Sequence, residues 1–308
     1  MRFGIVGAGG YWGPNWIRVL KQLNVLIAVC ESDKNRLDIV ASNFNLRGNN
    51  IKLCSSIEEM LDDELDGIFV VTPPATHADI AICAMKAGMN VFIEKPLAGN
   101  LEDCFRIKFE AERLNKKVMV GHTFLYHPAL RKFRDSLKLI GELRTIYTLR
   151  ANFGLYQEIG IVKDLMPHDF AIFSYLCGGF PSIVNSNVSP KQDIAYVTAM
   201  YGSVQCSAFL SWSHPRRMRT LNAIGENGIL EWDLSWDYLL NHRKRVVQTD
   251  KGFYEHHDDG TEQIEVSDHS EPLMNEALHF IECIQENRIP ITGIDDGINV
   301  VKGLEACQ

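Results

Sequence analysis

The residues nearest the start of the chain have the composition of a phosphate-binding turn. The heptapeptide GAGGYWG occupies residues 7–13, directly after an apolar run at residues 3–6, and Pro14 follows it at the start of a helical pattern. Glycines permit a tight turn, and they let backbone N–H groups and a helix N-terminus approach a pyrophosphate. The loop carries one residue more than the usual glycine spacing, so its position between a strand and a helix carries the prediction. The loop residues predicted to contact a dinucleotide are Gly7, Gly9, Gly10, Tyr11 and Trp12.

An acidic residue, Glu31, stands where the second apolar run ends, 22 positions after Gly9. A carboxylate there can accept hydrogen bonds from the ribose hydroxyls of adenosine, and its charge would repel a 2′-phosphate. This favours NAD over NADP as the cofactor, although Ser32, Lys34 and Arg36 nearby keep NADP open. The alternative is that Glu31 is a solvated residue at a strand end.

Two further motifs follow the fourth and fifth apolar runs. TPPATH covers residues 72–77, and Glu94-Lys95-Pro96 ends the run at residues 91–94. Proline stops a strand, so both motifs belong at the carboxyl edge of a parallel sheet, where open α/β folds bind ligands. The Lys95 ammonium could polarise a hydroxyl or carbonyl and stabilise charge that develops on oxygen. The alternatives are an exposed strand-end lysine and, for His77, a turn residue that caps the next helix.

The order of these motifs resembles the Gfo/Idh/MocA family of nicotinamide-dependent oxidoreductases. The resemblance continues through GHTFLYHPAL (121–130), KDLMPHD (163–169), SWSHPRRMR (211–219) and EPLMNEALHFIECI (271–284), so it covers nearly the whole chain. It implies that Lys95 lies beside the nicotinamide and the substrate hydroxyl, and that Asp164 and His168 supply the acid/base pair. The expected cofactor-binding residues then also include Thr72, Pro73, Pro74, His77, Glu94 and Lys95.

The spacing of Asp164 and His168 supports a shared role. Residues four apart lie on one face of a helix, and Pro167 between them is expected to be tolerated only in a first turn. We therefore expect both side chains at a helix N-terminus, where the dipole would lower the imidazole pKa and keep His168 neutral. An aspartate cap beside a buried structural histidine is the alternative.

The resemblance also implies substrate contacts around the predicted domain junction. His122, Tyr126 and His127 are candidates, with core packing as the alternative for Tyr126 and His127. One of the arginines at residues 216–219 could bind a phosphate or carboxylate bidentately. Lys163 replaces a residue that is commonly apolar in the family and so bears on substrate choice. EHHDDG at residues 255–260 has metal-ligand composition but is predicted to be an exposed loop, so no metal is expected.

Composition limits the class of protein. The 308 residues are 46% hydrophobic and 23% charged, which predicts a globular chain. A net charge of −8 disfavours binding to nucleic acid or anionic lipid and favours a small-molecule partner. No apolar run approaches the ~20 residues of a membrane span, and the start lacks a signal-peptide layout. Eight scattered cysteines indicate free thiols, so we expect a cytoplasmic location.

The pattern of apolar runs predicts two domains. Residues 1–121 alternate helical stretches with six strand-like runs, which predicts an α/β Rossmann-type parallel sheet domain. The runs occupy residues 3–6, 25–30, 51–54, 67–71, 91–94 and 118–121. Residues 122–308 predict an α+β substrate-binding and oligomerisation domain with a mainly antiparallel open sheet. Residues 241–272 are polar and poorly periodic, and we expect strand edges and loops there. An open sheet with one uncovered apolar face would need a partner, which together with the resemblance predicts a homodimer or homotetramer.

Together these features predict an NAD-dependent dehydrogenase that acts on a secondary alcohol of a sugar or cyclic polyol. HTFLYHPALRKF, NFGLYQ and DLMPHDF resemble the branch of the family that oxidises UDP-linked N-acetylated hexuronates at C3 in cell-surface polysaccharide pathways. A free-sugar or inositol dehydrogenase is the alternative within the enzyme class. A non-catalytic NAD(H)-binding regulatory protein is the alternative outside it, although such a protein would not need Lys95, Asp164 and His168 together.

Overall fold

The computed structural model describes residues 1–48, 50–61, 64–154 and 157–307. The chain forms two compact units. The first consists of Met1–Thr123 and Pro272–Val301, and the second of Phe124–Glu271 and the residues from Lys302 onward. Leu155 and Tyr156 of the NFGLYQ stretch lie outside the described residues.

Within the described residues, the helices are α1 (Gly13–Gln22), α2 (Lys34–Asn43), α3 (Ile57–Leu61), α4 (His77–Lys86), α5 (Leu101–Leu114), α6 (Pro128–Ser136), α7 (Ile161–Cys177), α8 (Pro272–Gln285) and α9 (Ile294–Ala306). None of these helices combines the length and apolar composition that crossing a lipid bilayer requires.

The described part of the first unit contains a six-stranded sheet in which every neighbouring pair is parallel. Its strands are β1 (Phe3–Val6), β2 (Leu26–Cys30), β3 (Lys52–Cys54), β4 (Gly67–Val70), β5 (Asn90–Glu94) and β6 (Val118–Gly121). The strand order is β3-β2-β1-β4-β5-β6, which reverses between β1 and β4. Ligands bind at the carboxyl ends of the strands at such a reversal. The predicted Rossmann-type sheet is confirmed.

Helix α8 packs against α1 of the first unit. Its Phe280 lies edge-on to Phe69, with ring centroids 5.6 Å apart, and also approaches Phe3 and Phe92. The sequence analysis assigned residues 272–301 to the second domain, whereas these aromatic contacts place Pro272–Val301 in the first compact unit.

The second unit contains an eight-stranded sheet over its described residues. The strands are β7 (Leu143–Phe153), β8 (Ile183–Val188), β9 (Ile194–Tyr201), β10 (Val204–Ser211), β11 (Ser213–Gly225), β12 (Ile229–Asp233), β13 (Tyr238–Gln248) and β14 (Tyr254–Glu265), in the order β14-β13-β12-β11-β7-β10-β9-β8. The β7–β10 pair is parallel, and the other neighbouring pairs are antiparallel. The predicted mainly antiparallel sheet is confirmed, and α7 packs against β7, β9 and β10.

The stretch predicted as strand edges and loops at residues 241–272 instead contains most of a long hairpin, β13 and β14. Most side chains of β14 are exposed on both faces, so the stretch lacks the apolar alternation that marks a half-buried strand. Backbone pairing and cross-strand ion pairs join β13 to β14 instead of apolar packing. In these ion pairs the Lys244 Nζ lies 3.1 Å from an Asp258 carboxylate oxygen, and an Arg245 guanidinium nitrogen lies 2.7 Å from an Asp259 carboxylate oxygen. The EHHDDG run is therefore an exposed strand rather than a loop.

Candidate functional site

The loop between β1 and α1 requires glycine at two positions. Gly7 has a φ of +91°, and a Cβ there would lie 2.9 Å from the backbone nitrogen of Thr72. A Cβ on Gly13 would overlap the Ala8 carbonyl group. The Gly10 N–H donates to the Gly7 carbonyl oxygen over 3.0 Å, which closes the turn. The loop therefore brings bare backbone to the N-terminus of α1, as pyrophosphate binding needs.

The next two loop residues are aromatic. Tyr11 is 80% exposed, and its ring meets the Trp12 ring edge-on at 5.8 Å. Trp12 directly precedes the first residue of α1. An exposed aromatic ring beside a helix N-terminus is available to a ligand, so cofactor contact by Tyr11 and Trp12 stays a prediction.

Glu31 lies against the same loop. Its Oε2 accepts a hydrogen bond from the Gly9 N–H over 2.8 Å, and its Oε1 accepts one from the Asp33 N–H over 3.1 Å. A Cβ on Gly9 would lie 2.9 Å from Oε2 of Glu31 and 2.7 Å from Cβ of Arg36. The bare loop backbone and the adjacent carboxylate fit a nicotinamide dinucleotide, and Gly9 leaves the space that a side chain would fill.

The loops after β4 and β5 are joined through His77. This histidine is fully buried at the start of α4, with Nε2 2.8 Å from the Thr72 carbonyl oxygen and Nδ1 3.0 Å from the Pro96 carbonyl oxygen. Burial lowers the pKa of His77, and its hydrogen bonds to backbone carbonyls oppose that change. Pro73 and Pro74, which follow Thr72 in the chain, lead into the short 3₁₀ turn Pro74–Thr76. His77 therefore ties TPPATH to the Glu94-Lys95-Pro96 turn through two backbone carbonyl groups, and cofactor contact by His77 stays a prediction.

The buried side chain of Glu94 supports the Glu94-Lys95-Pro96 turn. Its Oε1 accepts a hydrogen bond from Nε1 of the buried Trp16 over 2.7 Å, and its Oε2 accepts one from the Lys95 N–H over 3.1 Å. Burial raises the pKa of Glu94, while Trp16 and the Lys95 charge lower it. The carboxylate thus holds the backbone from which the partly exposed Lys95 side chain projects.

His122 follows β6, whose last residue pairs with Glu94 in the sheet. The side chain is 1% exposed, and within the described residues neither ring nitrogen has a hydrogen-bond partner. Burial, aided by the positive charge of Lys95, lowers the pKa of His122 to about 3. The imidazole is therefore neutral near pH 7 and offers one donor and one acceptor. Both ring nitrogens are buried, so substrate contact by His122 stays a prediction.

Glu276 is a buried acid that the sequence analysis did not select. It is fully buried on α8, and its Oε2 accepts a hydrogen bond from the Thr123 hydroxyl over 2.7 Å. Burial raises the pKa of Glu276 well above its ordinary value, and the nearby charge of Glu94 adds to the rise. An available signal was its position, because Glu276 lies on the helix face that Leu273 and Phe280 bury.

The second unit carries the predicted acid/base pair on α7. The helix begins at Ile161, so Asp164 lies in the first turn but Pro167 lies in the second. Gly160 directly precedes the helix and has a φ of +79°. The N–H of Ile161, the first residue of α7, donates to the Gln192 carbonyl oxygen over 2.9 Å, and this contact fixes the start of the helix before Asp164. The expectation that Pro167 marks the first turn is wrong. His168 consequently lies beyond the turn in which a helix dipole acts strongly.

Asp164 and His168 still share a face of α7, as their spacing predicted. The His168 ring meets Phe124 edge-on, with centroids 4.9 Å apart. Arg150 and Asp169 form a buried ion pair beside them, with Nε and Oδ1 2.7 Å apart. The sequence analysis did not select Phe124, Arg150 or Asp169.

Tyr126 and His127 are held by packing within the second unit. Tyr126 is fully buried, with the Arg131 guanidinium 5.8 Å from its ring centroid. His127 caps α6, because its Nδ1 accepts a hydrogen bond from the Ala129 N–H over 3.2 Å, and its ring lies 4.9 Å from that of Trp232. Burial lowers the pKa of His127. These contacts fit the packing alternative, and substrate contact by either residue stays a prediction.

Of the remaining charged candidates, Arg216, Arg217 and Lys163 are exposed and Arg219 is half-buried. Arg216 and Arg217 lie where the pairing of β11 with β7 shifts register. Lys163 is exposed on the first turn of α7.

Both halves of the chain match one protein family. Residues 1–122 match the NAD-binding Rossmann fold of the GFO_IDH_MocA oxidoreductase family, and residues 155–308 match the C-terminal alpha/beta domain of that family. The chain belongs to the Gfo/Idh/MocA family. The predicted dinucleotide-binding domain and the predicted membership in an oxidoreductase family are confirmed.

Relatives of this Gfo/Idh/MocA protein differ in their substrates. The chain is 28% identical over 212 residues to UDP-N-acetylglucosamine 3-dehydrogenase of Acidithiobacillus ferrooxidans, covering 66% of this chain and 65% of that protein. It is 26% identical over 310 residues to scyllo-inositol 2-dehydrogenase (NAD(+)) of Bacillus subtilis, covering 91% of this chain and 85% of that protein. The matches span between 52% and 65% of the length of the first curated relatives.

The fold is also that of a solved structure. The structure of UDP-N-acetylglucosamine 3-dehydrogenase GnnA from Acidithiobacillus ferrooxidans superimposes with a TM-score of 0.84 at 21% identity, covering 99% of this chain and 95% of that chain.

Proposed function

We propose that this protein is an NAD-dependent dehydrogenase that oxidises a secondary alcohol of a sugar, and that its substrate is a nucleotide sugar. The observation that carries the proposal is the presence in one chain of Lys95, Asp164 and His168 together with a glycine loop bonded to Glu31. A protein that only bound the dinucleotide would need the loop and Glu31 but not the other three residues.

The loop at residues 7–13 and Glu31 would hold the dinucleotide, with TPPATH and Glu94-Lys95-Pro96 at the same sheet edge. When bound, the nicotinamide ring supplies the acceptor for the hydride that leaves the substrate carbon. The carboxylate of Glu31 selects against a 2′-phosphate by charge, which favours NAD. Arg36, whose Cβ is close to Gly9, keeps NADP open as an alternative.

In this proposal His168 takes the proton from the substrate hydroxyl as a general base. The ammonium of Lys95 stabilises the negative charge that develops on the same oxygen. Asp164 orients the pair, and His122, neutral near pH 7, contributes a hydrogen bond to the substrate.

Two observations support a nucleotide sugar. One relative is a UDP-N-acetylglucosamine 3-dehydrogenase. The exposed guanidinium groups of Arg216 and Arg217 suit the charges of a diphosphate. This substrate class would place the reaction in the biosynthesis of a cell-surface polysaccharide. The second candidate, an inositol or free-sugar dehydrogenase, is favoured by the scyllo-inositol relative, which matches over more of both chains.

The test mixes purified protein with NAD or NADP and a panel of UDP-sugars, UDP-hexuronates, free sugars and inositols, and follows the absorbance of the reduced nicotinamide. We expect a rise with NAD and a UDP-sugar, whereas a rise with inositol alone would move the assignment to the second candidate. Lys95→Met should abolish turnover and leave NAD binding by calorimetry within about twofold of wild type, since the loop at residues 7–13 is unchanged. Wild-type turnover in Lys95→Met would contradict the mechanism.

We also propose that the chain forms a homodimer or homotetramer through the sheet of the second unit. On β9 the side chains alternate, with Ala195, Val197, Ala199 and Tyr201 buried. Tyr196 on the opposite face is exposed and packs on Phe209 of β10, and Ile183 of β8 is exposed as well. Sedimentation at micromolar concentration should show a dimer or tetramer that Tyr196→Glu weakens, and a wild-type monomer would remove this proposal.

A further inference from the structure

Phe124 lies between two groups that differ in charge. Its ring meets the His168 imidazole edge-on at 4.9 Å, and the Arg150 guanidinium carbon lies 4.5 Å from its ring centroid. A guanidinium at that distance from an aromatic ring is in cation–π contact. One aromatic ring therefore joins a permanent cation to the candidate base.

Arg150 cannot move away from this ring at low cost. It is 5% exposed on β7, and its Nε donates to Oδ1 of the fully buried Asp169 over 2.7 Å. Burial raises the pKa of Asp169, while the Arg150 charge and hydrogen bond lower it. Because Asp169 directly follows His168 on α7, the ion pair connects the strand to the same turn of the helix that carries the base.

We propose that Arg150 is a positioning residue for His168. Its guanidinium fixes Phe124 against the imidazole, and Asp169 balances its positive charge, which alone would favour the neutral form of that ring. This inference rests on the proposed function, in which His168 is the base. Asp169 is the second member of the device, because it holds Arg150 in place and balances its charge.

The effect of these charges on His168 has a definite sign. The ionisable groups on α7 and on the strands packed against it in the second unit include Asp164 and Asp169 on α7, Arg150 on β7, Tyr201 on β9 and Cys206 on β10. Burial raises the pKa of Tyr201. The hydrogen bond between Cys206 and Cys177, together with burial, raises the pKa of Cys206, so Tyr201 and Cys206 are both uncharged near pH 7. Asp164 and Asp169 therefore favour the imidazolium form, and Arg150 opposes it.

The size of the effect follows from the geometry. Arg150 Cζ lies 4.5 Å from the Phe124 ring centroid and the imidazole centroid lies 4.9 Å from it, so the two groups are less than about 10 Å apart. A unit charge at that separation moves an ionisation by about one pH unit at an effective dielectric constant of about 20. Asp169→Asn leaves the arginine charge unbalanced and should lower the pKa of His168 by about this amount.

The test is an NMR titration of the histidine rings in the full-length protein without ligands, with His168 assigned by its loss in His168→Asn. Asp169→Asn should titrate about one pH unit below wild type, and Arg150→Met/Asp169→Asn should return to within about 0.3 pH units of it. Asp259→Asn is the matched control, because it removes the acid of the exposed Arg245–Asp259 pair, which is also 2.7 Å long. This control should leave His168 unchanged.

A His168 that titrates at the wild-type pH in Asp169→Asn would overturn the inference, as would a double variant that does not reverse the change. If Asp169→Asn does not fold, Phe124→Leu is the variant that tests the proposal. It retains the charges of Arg150 and Asp169 and removes the aromatic ring between Arg150 and His168. We then expect loss of the ring-current shift at His168 and a fall in kcat of about tenfold with KM within twofold. An unchanged His168 resonance would overturn the proposal.

The pH dependence of kcat/KM separates this inference from the proposed function. If His168 is the base, the acid limb of the profile moves down by about one pH unit in Asp169→Asn and returns in the double variant. The acid limb could instead stay in place while the NMR titration of His168 moves in Asp169→Asn and returns in the double variant. That result would refute His168 as the base but leave the role of Arg150 intact.

Discussion

Replacing Trp16 by phenylalanine tests whether a buried carboxylate holds the lysine turn. The indole Nε1 donates to Oε1 of Glu94 over 2.7 Å, and the other oxygen of Glu94 accepts from the Lys95 N–H. Trp16 and Glu94 are both buried, at 0% and 6% exposure, so water cannot replace the lost donor. Trp16→Phe should therefore destabilise β5 and also lower kcat, because the backbone of Lys95 loses its support.

The magnitude is obtained by comparison with a second tryptophan. Trp232 is equally buried, but its Nε1 donates to a neutral acceptor, the Trp236 carbonyl oxygen, over 3.3 Å. A hydrogen bond to a charged group contributes about 1.5–3 kcal/mol and one to a neutral group about 0.5–1.5 kcal/mol. Both substitutions remove the same ring atoms, so Trp16→Phe should cost about 1–2 kcal/mol more than Trp232→Phe.

The assay is hydrogen exchange of the full chain in increasing urea, read by mass spectrometry in β5 and in β12, so that each unit is measured separately. In a Glu94→Gln background the cost of Trp16→Phe should fall by about 1 kcal/mol, because the amide is neutral and offers one acceptor oxygen to two donors, Trp16 Nε1–H and the Lys95 N–H. Equal costs of the two tryptophan substitutions, within 0.5 kcal/mol, would refute the reasoning. A cost of Trp16→Phe that is the same in the Glu94→Gln background would refute it as well.

Three further predictions concern the first unit. The pKa of Glu276 is raised in the folded state, so its contribution to stability is present below the ordinary value of 4.5 and is lost as pH rises toward the folded value. The Tm of Glu276→Gln relative to that of wild type should therefore rise between pH 4.5 and pH 8. A constant difference in Tm would contradict the raised pKa. Gly13→Ala should weaken NAD binding by calorimetry at least about tenfold, because the added methyl group overlaps the Ala8 carbonyl and overpacking costs about 1–3 kcal/mol. Gly99→Ala is its control, since a Cβ there meets nothing closer than 3.7 Å, and equal NAD affinities of the two variants would contradict the account of the loop. Glu31→Gln should shift the ratio of NAD to NADP affinity toward NADP by about tenfold, because it removes the charge that repels a 2′-phosphate, and an unchanged ratio would remove Glu31 from cofactor selection.

Local sequence patterns were sufficient for the first sheet. Each of its six predicted strands agrees with the structure to within one residue at either end, because strands buried on both faces appear as short apolar runs between turn residues. The glycine loop was predictable for a similar reason, since Gly7 and Gly13 reflect backbone geometry that few other residues allow. The polar hairpin of β13 and β14 lacked such a pattern, so its pairing was not predictable.

The sequence by itself thus determined the class of fold, the family, and the candidate residues that short motifs contain. Tertiary structure decided which distant side chains meet. Thr123 and Glu276 are 153 positions apart and join across the first unit, and Arg150 reaches Asp169 from a neighbouring strand. It also decided that α7 begins at Ile161, because the Ile161 N–H bonds to Gln192, 31 positions away. Periodicity reports only the burial of each residue along its own helix or strand, whereas these contacts depend on how separate elements pack, and local spacing does not encode that packing.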